Sequence, residues 1–272
     1  MKAICFFAIA FFVLGFVIIA QAKVDFKKVF GERDGCFLIS DLQTGKVLAE
    51  YNQTRCKERF SPCSTFKIPA ALMAFEKGIF KDENHLIPWD HVKRDREELN
   101  KDQTPFTFMS NSAKWVTEWI LPQIGKTQIQ SFLKSFQYGN QDFSGGLQNA
   151  WVSSSLKISA HEQVAFLSNF WNQKLGLSNR TTDLTKKIIF IKKFGEKAEL
   201  YGKTGTGCLD GNQCFSQPGP MLGWFVGILK TDSKQYVFAG NAADLKPQKS
   251  PAGPRMRETV IEILKGMKLT SE

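Results

Sequence analysis

Strand-like patterns of hydrophobic and polar residues lie at the two ends of this chain and are absent from its middle. CFLISDLQTGKVLAEYN, residues 36–52, has two β-rich stretches on either side of Gln-Thr-Gly, which predicts a hairpin. Strand character returns in AELYGKTGTG, MLGWFVGILK and QYVFAGNA, between residues 198 and 242. The chain closes with RMRETVIEILKGM, whose spacing predicts an amphipathic helix.

Helical patterns occupy the region between these strands. An apolar run that begins beside Ser64 predicts a helix ending near Gly78, and segments 126–136 and 159–173 predict two more. Strands at both ends with helices between them indicate an α+β fold. We expect an antiparallel sheet formed by N- and C-terminal strands and flanked by helices, with an inserted all-helical lobe. The junction of sheet and lobe would be a natural cleft.

The first 22 residues follow a different pattern. Lys2 precedes the apolar run ICFFAIAFFVLGFVIIA, and Ala-Gln-Ala at 20–22 offers small residues for cleavage. This predicts a signal peptide cut after Ala22, which leaves one domain over residues 23–272 in the periplasm. The alternative is an uncleaved anchor, because the run approaches the length of a membrane span. No later stretch could cross a membrane, so we expect no membrane association after cleavage.

Export would place five cysteines in an oxidising compartment. An odd number means that at least one stays free or pairs outside the chain. Two of them flank Leu-Asp-Gly-Asn-Gln, which resembles a turn between strands, and we predict a disulfide between Cys208 and Cys214. The pairing of the other three stays open. The five are Cys36, Cys56, Cys63, Cys208 and Cys214.

Neither cysteine nor histidine spacing matches a metal site, so no metal is expected. The formal charge is +10; without Lys2, 35 basic residues face 26 acidic ones, which leaves +9. The basic residues are spread along the chain without a nucleic-acid motif, so we expect no nucleic-acid partner. Their field would favour small anionic substrates.

Ser64 and Lys67 form an S-x-x-K pair at the start of the first predicted helix. Residues three apart lie one turn apart on the same helix face. Free N–H groups at a helix start favour developing negative charge, and a buried lysine can lose its proton and act as a base. Similar pairs at 131–134 and 154–157 are interpreted as surface residues of helices.

Lys203, Thr204 and Gly205 form a second candidate element on a predicted strand. A cation and a hydroxyl suit a substrate carboxylate, and glycine lets a ligand approach the backbone. Alone, this motif would be an ordinary strand end.

Together, the two motifs are typical of penicillin-recognising serine enzymes. The finer pattern closely resembles the class D, oxacillinase-type, β-lactamases over essentially the whole mature chain. The matching text is STFKIP at 64–69, YGN at 138–140, SGG at 144–146, Trp151, KTG at 203–205, GWFVG at 223–227 and the basic segment around Arg255.

The resemblance implies hydrolysis of the β-lactam amide of penicillin-type antibiotics through an acyl-enzyme on Ser64. Lys67 would be the general base, carboxylated by carbon dioxide, so that bicarbonate is needed but no other cofactor. The indole N–H of Trp151 would steady the carboxylated lysine, and Ser112 would relay a proton to the leaving nitrogen. Tyr138 is expected to shape the nearby loop.

The resemblance also implies a set of substrate-binding residues. Lys203, Thr204 and Arg255 would hold the substrate carboxylate beside Gly205, and the backbone N–H groups of Ser64 and Thr206 would form the oxyanion hole. Whether the protein is a monomer or a homodimer is left open.

Lys114 departs from the family pattern. The family's second motif is S-x-V, whereas this chain has Ser112-Ala113-Lys114, placed 48 residues after Ser64 and 26 before Tyr138. The lysine replaces an apolar residue that covers the carboxylated lysine. Its side chain could turn to solvent or bring a second amine to Lys67, which would affect deacylation.

Three alternative functions share parts of this pattern. A non-hydrolytic β-lactam sensor would acylate and stay acylated, although such receptors normally carry extra membrane and signalling parts. A D,D-peptidase would share S-x-x-K and KTG but is not expected to share YGN and Trp151. A thiol enzyme built on Cys63 lacks a recognisable histidine partner.

Overall fold

The computed structural model describes residues 24–209 and 219–270. The predicted signal peptide and Cys214 lie outside these ranges. Within them, no helix combines the length and the apolar character needed to cross a membrane.

Six strands form one antiparallel sheet in the order β2-β1-β6-β5-β4-β3. The strands are β1 (Asp34–Asp41), β2 (Val47–Tyr51), β3 (Phe190–Phe194), β4 (Ala198–Cys208), β5 (Met221–Thr231) and β6 (Gln235–Ala243). Within the described residues the first and last strands, β1 and β6, are therefore neighbours inside the sheet. The predicted fold class, with its sheet assembled from both ends of the chain, is confirmed.

The described ranges contain ten α-helices, most of them inserted between β2 and β3. They are α1 (Phe26–Phe30), α2 (Gln53–Lys57), α3 (Lys67–Glu76), α4 (Pro105–Ser110), α5 (Lys114–Ile124), α6 (Lys126–Ser135), α7 (Gly146–Ser153), α8 (Ala160–Trp171), α9 (Asn179–Ile188) and α10 (Ala252–Gly266). Short 3₁₀ turns span Cys63–Phe66 and Glu97–Leu99.

The sheet separates two hydrophobic clusters. Because side chains alternate between the faces of a strand, Phe37 and Ile39 of β1 pack on the side of α1 and α10, with Val260 among their neighbours. Cys36 and Leu38 face the opposite side, where the helical insertion packs. This arrangement leaves the start of α3 at the boundary between β4 and the inserted helices.

Candidate active site

Ser64 lies in the 3₁₀ turn that leads into α3, and Lys67 is the first residue of that helix. The preceding residue, Cys63, has a φ of 50°, a left-handed conformation that is uncommon outside glycine and clusters at functional sites. Ser64 lines a cavity of about 380 Å³ together with Trp151 and Thr206. The S-x-x-K pair therefore opens a helix, as predicted, and its serine faces open space.

Strand β4 lies against this turn because glycine occupies two of its positions. A Cβ atom at Gly205 would lie 3.0 Å from the carbonyl oxygen of Pro62, and one at Gly207 would lie 2.4 Å from Cys63 Sγ. Larger residues would hold the strand away from the turn. Within the KTG motif, Gly205 thus allows β4 to approach the turn closely. This close approach brings Thr206 to the cavity wall.

Lys67 is fully buried, and its Nζ atom has no hydrogen-bond partner among the described residues. The amine lies 4.8 Å from the ring centroid of Trp151 and 5.7 Å from that of Phe108. Burial, reinforced by the positive charges of Lys203 and Lys114, holds the pKa of Lys67 well below its ordinary value. These surroundings favour the neutral amine, the form that can accept a proton.

Trp151 packs beside Lys67 through the face of its ring. The ring stacks on Phe66 with 5.9 Å between centroids, and its N–H donates to the Leu147 carbonyl at 3.2 Å within α7. The structure therefore brings the predicted tryptophan to Lys67, while the indole N–H is bonded inside its own helix.

The Tyr-Gly-Asn segment holds the loop that follows α7. The Asn140 side chain donates to the Ser155 carbonyl at 2.7 Å and accepts from the Lys157 N–H at 2.9 Å. Gly139 has a φ of 55°, and a Cβ atom there would lie 2.1 Å from the Lys157 carbonyl oxygen. Tyr138 is buried edge-on against other rings. The Tyr-Gly-Asn motif therefore shapes a loop near the site, as the sequence predicted.

Lys203 and Thr204 line a second cavity, of about 230 Å³, whose wall also includes Arg257 and Phe106. Only 4% of Lys203 is exposed, and its amine donates to the Thr204 carbonyl at 3.2 Å. Burial, reinforced by the positive charges of Arg257 and Arg96, lowers the pKa of Lys203 to about 7. An anion bound here would restore its charge.

The structure brings Arg257 to Lys203, in place of the expected Arg255. The Arg255 guanidinium forms an ion pair with the buried Asp244, with Nη1 at 2.8 Å from Oδ1, and its Nε donates to the Ser250 carbonyl at 3.1 Å. Two positions on a helix differ by about 200°. Arg255 therefore anchors the start of α10, while Arg257 faces the cavity.

Thr206 connects α10 to β4. Its hydroxyl accepts a hydrogen bond from the Gly253 N–H at 2.8 Å. A Cβ atom at Gly253 would lie 2.6 Å from the Gly205 carbonyl oxygen, so the helix start touches the strand. The Thr206 hydroxyl thus fixes the start of α10 against β4, while Thr206 also lines the cavity beside Ser64.

Ser112 and Lys114 lie at the junction of α4 and α5. Ser112 is half-buried with a φ of 55°, and it is not among the residues that line the cavity beside Ser64. Lys114 does line that cavity, yet its side chain is 53% exposed and its amine pairs with Glu118 one turn further along α5. The Lys114 side chain therefore turns partly to solvent, as one of the two expectations had it. Its charge nevertheless acts on Lys67, whose pKa it lowers.

The cysteines near the site are not built for catalysis. Burial raises the pKa of the Cys63 thiol to about 12, which leaves little of the thiolate that a nucleophile needs. Cys208 is disulfide-bonded. The predicted partner, Cys214, lies outside the described residues, so that pairing stays a prediction.

Several residues of the site were not found by sequence reasoning. Phe108 packs against Lys67 from a helix with no motif, and Glu118 was not connected with Lys114 although an i,i+4 pair of opposite charge was visible. Arg257 was not identified because it and Arg255 lie on either side of the buried Met256, so helical periodicity alone does not separate them.

Comparisons with known proteins agree with this geometry. The sequence model of the family described as penicillin binding protein transpeptidase domain matches residues 35–262. β-Lactamase OXA-1 of Escherichia coli is 34% identical over 261 residues, which cover 92% of each chain. A crystal structure of a class D β-lactamase from Bacillus subtilis superposes with a TM-score of 0.81 at 32% identity, covering 93% of this chain and 99% of the other.

The chain therefore belongs to the penicillin-binding transpeptidase family and, within it, to the class D β-lactamases. The named relatives are serine hydrolases that act on β-lactams. The regulatory protein BlaR1 of Staphylococcus aureus is also similar: it is 36% identical over 224 residues, which make up 82% of this chain and 37% of BlaR1.

Proposed function

We propose that this protein hydrolyses the β-lactam amide bond of penicillin-type antibiotics through an acyl-enzyme on Ser64, and so confers antibiotic resistance. The observation that carries the proposal is the buried amine of Lys67, which has no hydrogen-bond partner within residues 24–209 and 219–270 and lies one helical turn from a serine that opens into the larger cavity. A buried amine without a partner lowers stability, so its presence beside the nucleophile calls for a functional reason.

In acylation, Lys67 takes the proton of the Ser64 hydroxyl while Oγ bonds to the β-lactam carbonyl carbon. The backbone N–H groups of Ser64 and Thr206 would then stabilise the oxyanion. When the ring C–N bond breaks, the nitrogen takes up a proton, for which the resemblance suggests Ser112 as the relay. The proton removed from the Ser64 hydroxyl is thus returned to the leaving nitrogen, and acylation neither gains nor loses a proton.

Substrate recognition would use the second cavity. Its two cations, Lys203 and Arg257, and the Thr204 hydroxyl match a carboxylate. Thr204 and Thr206 are two residues apart on β4, a rise of about 6.6 Å along a strand. One small bicyclic molecule could therefore place its carboxylate in the smaller cavity and its reactive amide beside Ser64.

The Lys67 environment also fits carboxylation by carbon dioxide. Only a neutral amine reacts with carbon dioxide, and burial favours that form here. The carboxylated lysine would supply an anionic oxygen as the proton acceptor for the water that attacks the acyl-enzyme. Trp151, Phe108 and the residues around them would exclude bulk solvent from it.

A β-lactam sensor that is acylated but does not turn over is the second candidate. The specific observation in its favour is the similarity to BlaR1. Sensors and β-lactamases share the acylation step, so residues around Ser64 do not separate them. The rate of deacylation separates the two classes of protein.

Burst kinetics with a chromogenic cephalosporin distinguish the two candidates. We expect continued turnover after the burst, with Ser64→Ala abolishing both turnover and covalent labelling by a fluorescent penicillin. Ser131→Ala is the matched control, because Ser131 and Lys134 form an exposed S-x-x-K pair on α6. One product molecule per protein and no further turnover would favour the sensor, and labelling of the Ser64→Ala variant would refute both candidates.

The proposal includes export. Removal of residues 1–22 as a signal peptide would place the protein in the periplasm, where β-lactams arrive. N-terminal sequencing of the protein from that compartment should begin at Lys23, whereas an intact N-terminus would indicate an uncleaved anchor.

A further inference from the structure

Cys36 and Cys56 are two fully buried thiols on elements that pack together, β1 and α2. The Cys56 thiol donates to the Tyr51 carbonyl at 3.5 Å. Tyr51 pairs with Phe37 in the sheet, so this contact puts the Cys56 sulfur at the strand position next to Cys36.

A second set of contacts leads to the same place from the other direction. The Asn241 side chain donates to Cys36 Sγ at 3.3 Å and accepts from Arg55 Nε at 2.9 Å. Arg55 immediately precedes Cys56 in α2. The network therefore connects the Cys36 sulfur to the residue that immediately precedes Cys56.

Electrostatics agree with this proximity. The Cys36 thiol lies within hydrogen-bond reach of Cys56 and, together with burial, raises the pKa of the Cys56 thiol far above its ordinary value. In the folded protein the Cys56 sulfur would react poorly with outside reagents, because the thiolate is the reactive form.

We propose that Cys36 and Cys56 form a structural disulfide in the exported protein. Each thiol loses one proton, and the pair gives two electrons to an external disulfide, either that of a dithiol oxidase or oxidised glutathione, which is reduced to two thiols. Because both sulfurs are buried in the finished fold, the exchange takes place while the chain folds. With the predicted Cys208–Cys214 bridge, this pairing leaves Cys63 as the odd cysteine.

The bridge would fasten the chain just ahead of the nucleophile. It closes the loop that contains the β1–β2 hairpin and ties α2 to β1, which has a neighbouring strand on each side. The chain leaves α2 into Phe60, whose backbone pairs with Ile158, and reaches Ser64 four residues later. Restricting this loop in the unfolded chain would stabilise the fold and the entry to the active site.

Thiol counting on the exported full chain tests the pairing. The protein is denatured without reductant, alkylated with iodoacetamide and digested. We expect the Cys36 and Cys56 peptides to be recovered as one linked fragment, with Cys63 alkylated. Recovery of Cys36 and Cys56 as alkylated, separate peptides would overturn the proposal, whatever the state of Cys208.

A stability cycle gives an independent readout that does not depend on activity. If the two are bridged, Cys36→Ala and Cys56→Ala each remove the same bond, so the double variant should melt no lower than the less stable single variant. Cys63→Ala is the control for loss of a buried thiol, and its effect should add to either one. Additive losses from Cys36→Ala and Cys56→Ala would contradict the bridge.

Discussion

Lys67 and Lys203 are both buried lysines with lowered pKa values, and they lie on two sides of the site with different surroundings. Lys67 is enclosed by aromatic rings and has no hydrogen-bond partner among the described residues. Lys203 contacts the oxygens of Thr204 and faces Arg257 across a cavity. Burial is the main cause of the pKa shift at both positions.

The same physical effect, burial of an amine, thus serves two tasks at these two positions. An apolar enclosure keeps the Lys67 amine neutral, which suits a base. A cavity shared with another cation leaves Lys203 poised near neutral pH until an anion arrives, which suits binding of a carboxylate. The role of each lysine therefore follows from its surroundings rather than from the residue type.

Replacing each lysine with methionine should separate the two tasks most strongly. Lys67→Met should lower turnover by roughly 10²- to 10⁴-fold, because the proposed general base is lost. Lys203→Met should lower kcat/KM by roughly 10- to 100-fold, mainly through KM, because a charge-assisted contact to the substrate is lost. Steady-state kinetics with an anionic penicillin measure both. Equal effects on kcat from the two variants would contradict the division of tasks.

The same variants should be more stable than the parent. Methionine keeps the volume and removes a buried amine, which is worth about 1–3 kcal/mol for Lys67. A lowered pKa means that the unfolded chain binds more protons, so the penalty in the parent is full at low pH and fades as pH rises toward 10.5, the ordinary value for lysine. The difference in denaturant midpoint between each variant and the parent should therefore shrink as pH rises, and the part that comes from the unpaired neutral amine should remain. The exposed Lys134→Met serves as the control.

Two arginines of α10 test the binding side of the comparison. Arg257→Met should raise KM for anionic β-lactams by about tenfold, because it faces the cavity with Lys203. Arg255→Met should instead lower stability by about 3–5 kcal/mol, since it leaves the buried carboxylate of Asp244 unpaired. Kinetics and melting curves of both variants measure these effects, and an exchange of the two phenotypes would show that Arg255 is the substrate ligand.

The pH profile should have one limb from each lysine. Protonation of Lys67 should lower activity on the acid side. On the alkaline side, kcat/KM for an anionic substrate should fall above about pH 7, where free Lys203 loses its proton. The bound carboxylate raises the Lys203 pKa, so the limb in kcat should lie at higher pH. A β-lactam methyl ester, which carries no charge, should lose the alkaline limb in kcat/KM; persistence of that limb would assign it to another group.

The smallest effects are expected from Lys114 and Glu118. The Lys114 charge lowers the pKa of Lys67 and the Glu118 charge raises it, with partly exposed side chains that weaken both influences. Lys114→Val should move the acid limb to slightly higher pH and change deacylation more than acylation, whereas Glu118→Gln should move it to lower pH. Unchanged deacylation and an unmoved acid limb in both would show that the pair acts only at the surface.

The fold was predictable from the sequence because its signals are local. The hairpin around Gln-Thr-Gly, the helix ending near Gly78 and the strands that carry KTG and GWFVG all follow from residue patterns. The short strand β3 was missed, since Phe190–Phe194 contains two consecutive lysines and lies at the sheet edge.

The predictable part of the site is the part carried by motifs. Ser64 and Thr206 line one cavity, Lys203 lines the other, and Lys67 begins α3. The choice between Arg255 and Arg257, and the bond from the Trp151 N–H to Leu147, depend on how α10 and α7 are rotated against their neighbours. No motif encodes that rotation.

Burial of Lys67 should keep its amine neutral and open to carboxylation. The most direct measurement is ¹³C NMR of the protein equilibrated with ¹³C-bicarbonate, with the Lys67→Met variant as control. We expect a carbamate resonance in the parent that disappears in Lys67→Met and fades at acidic pH together with activity. Full hydrolytic activity after removal of carbon dioxide, with no carbamate resonance, would contradict this expectation.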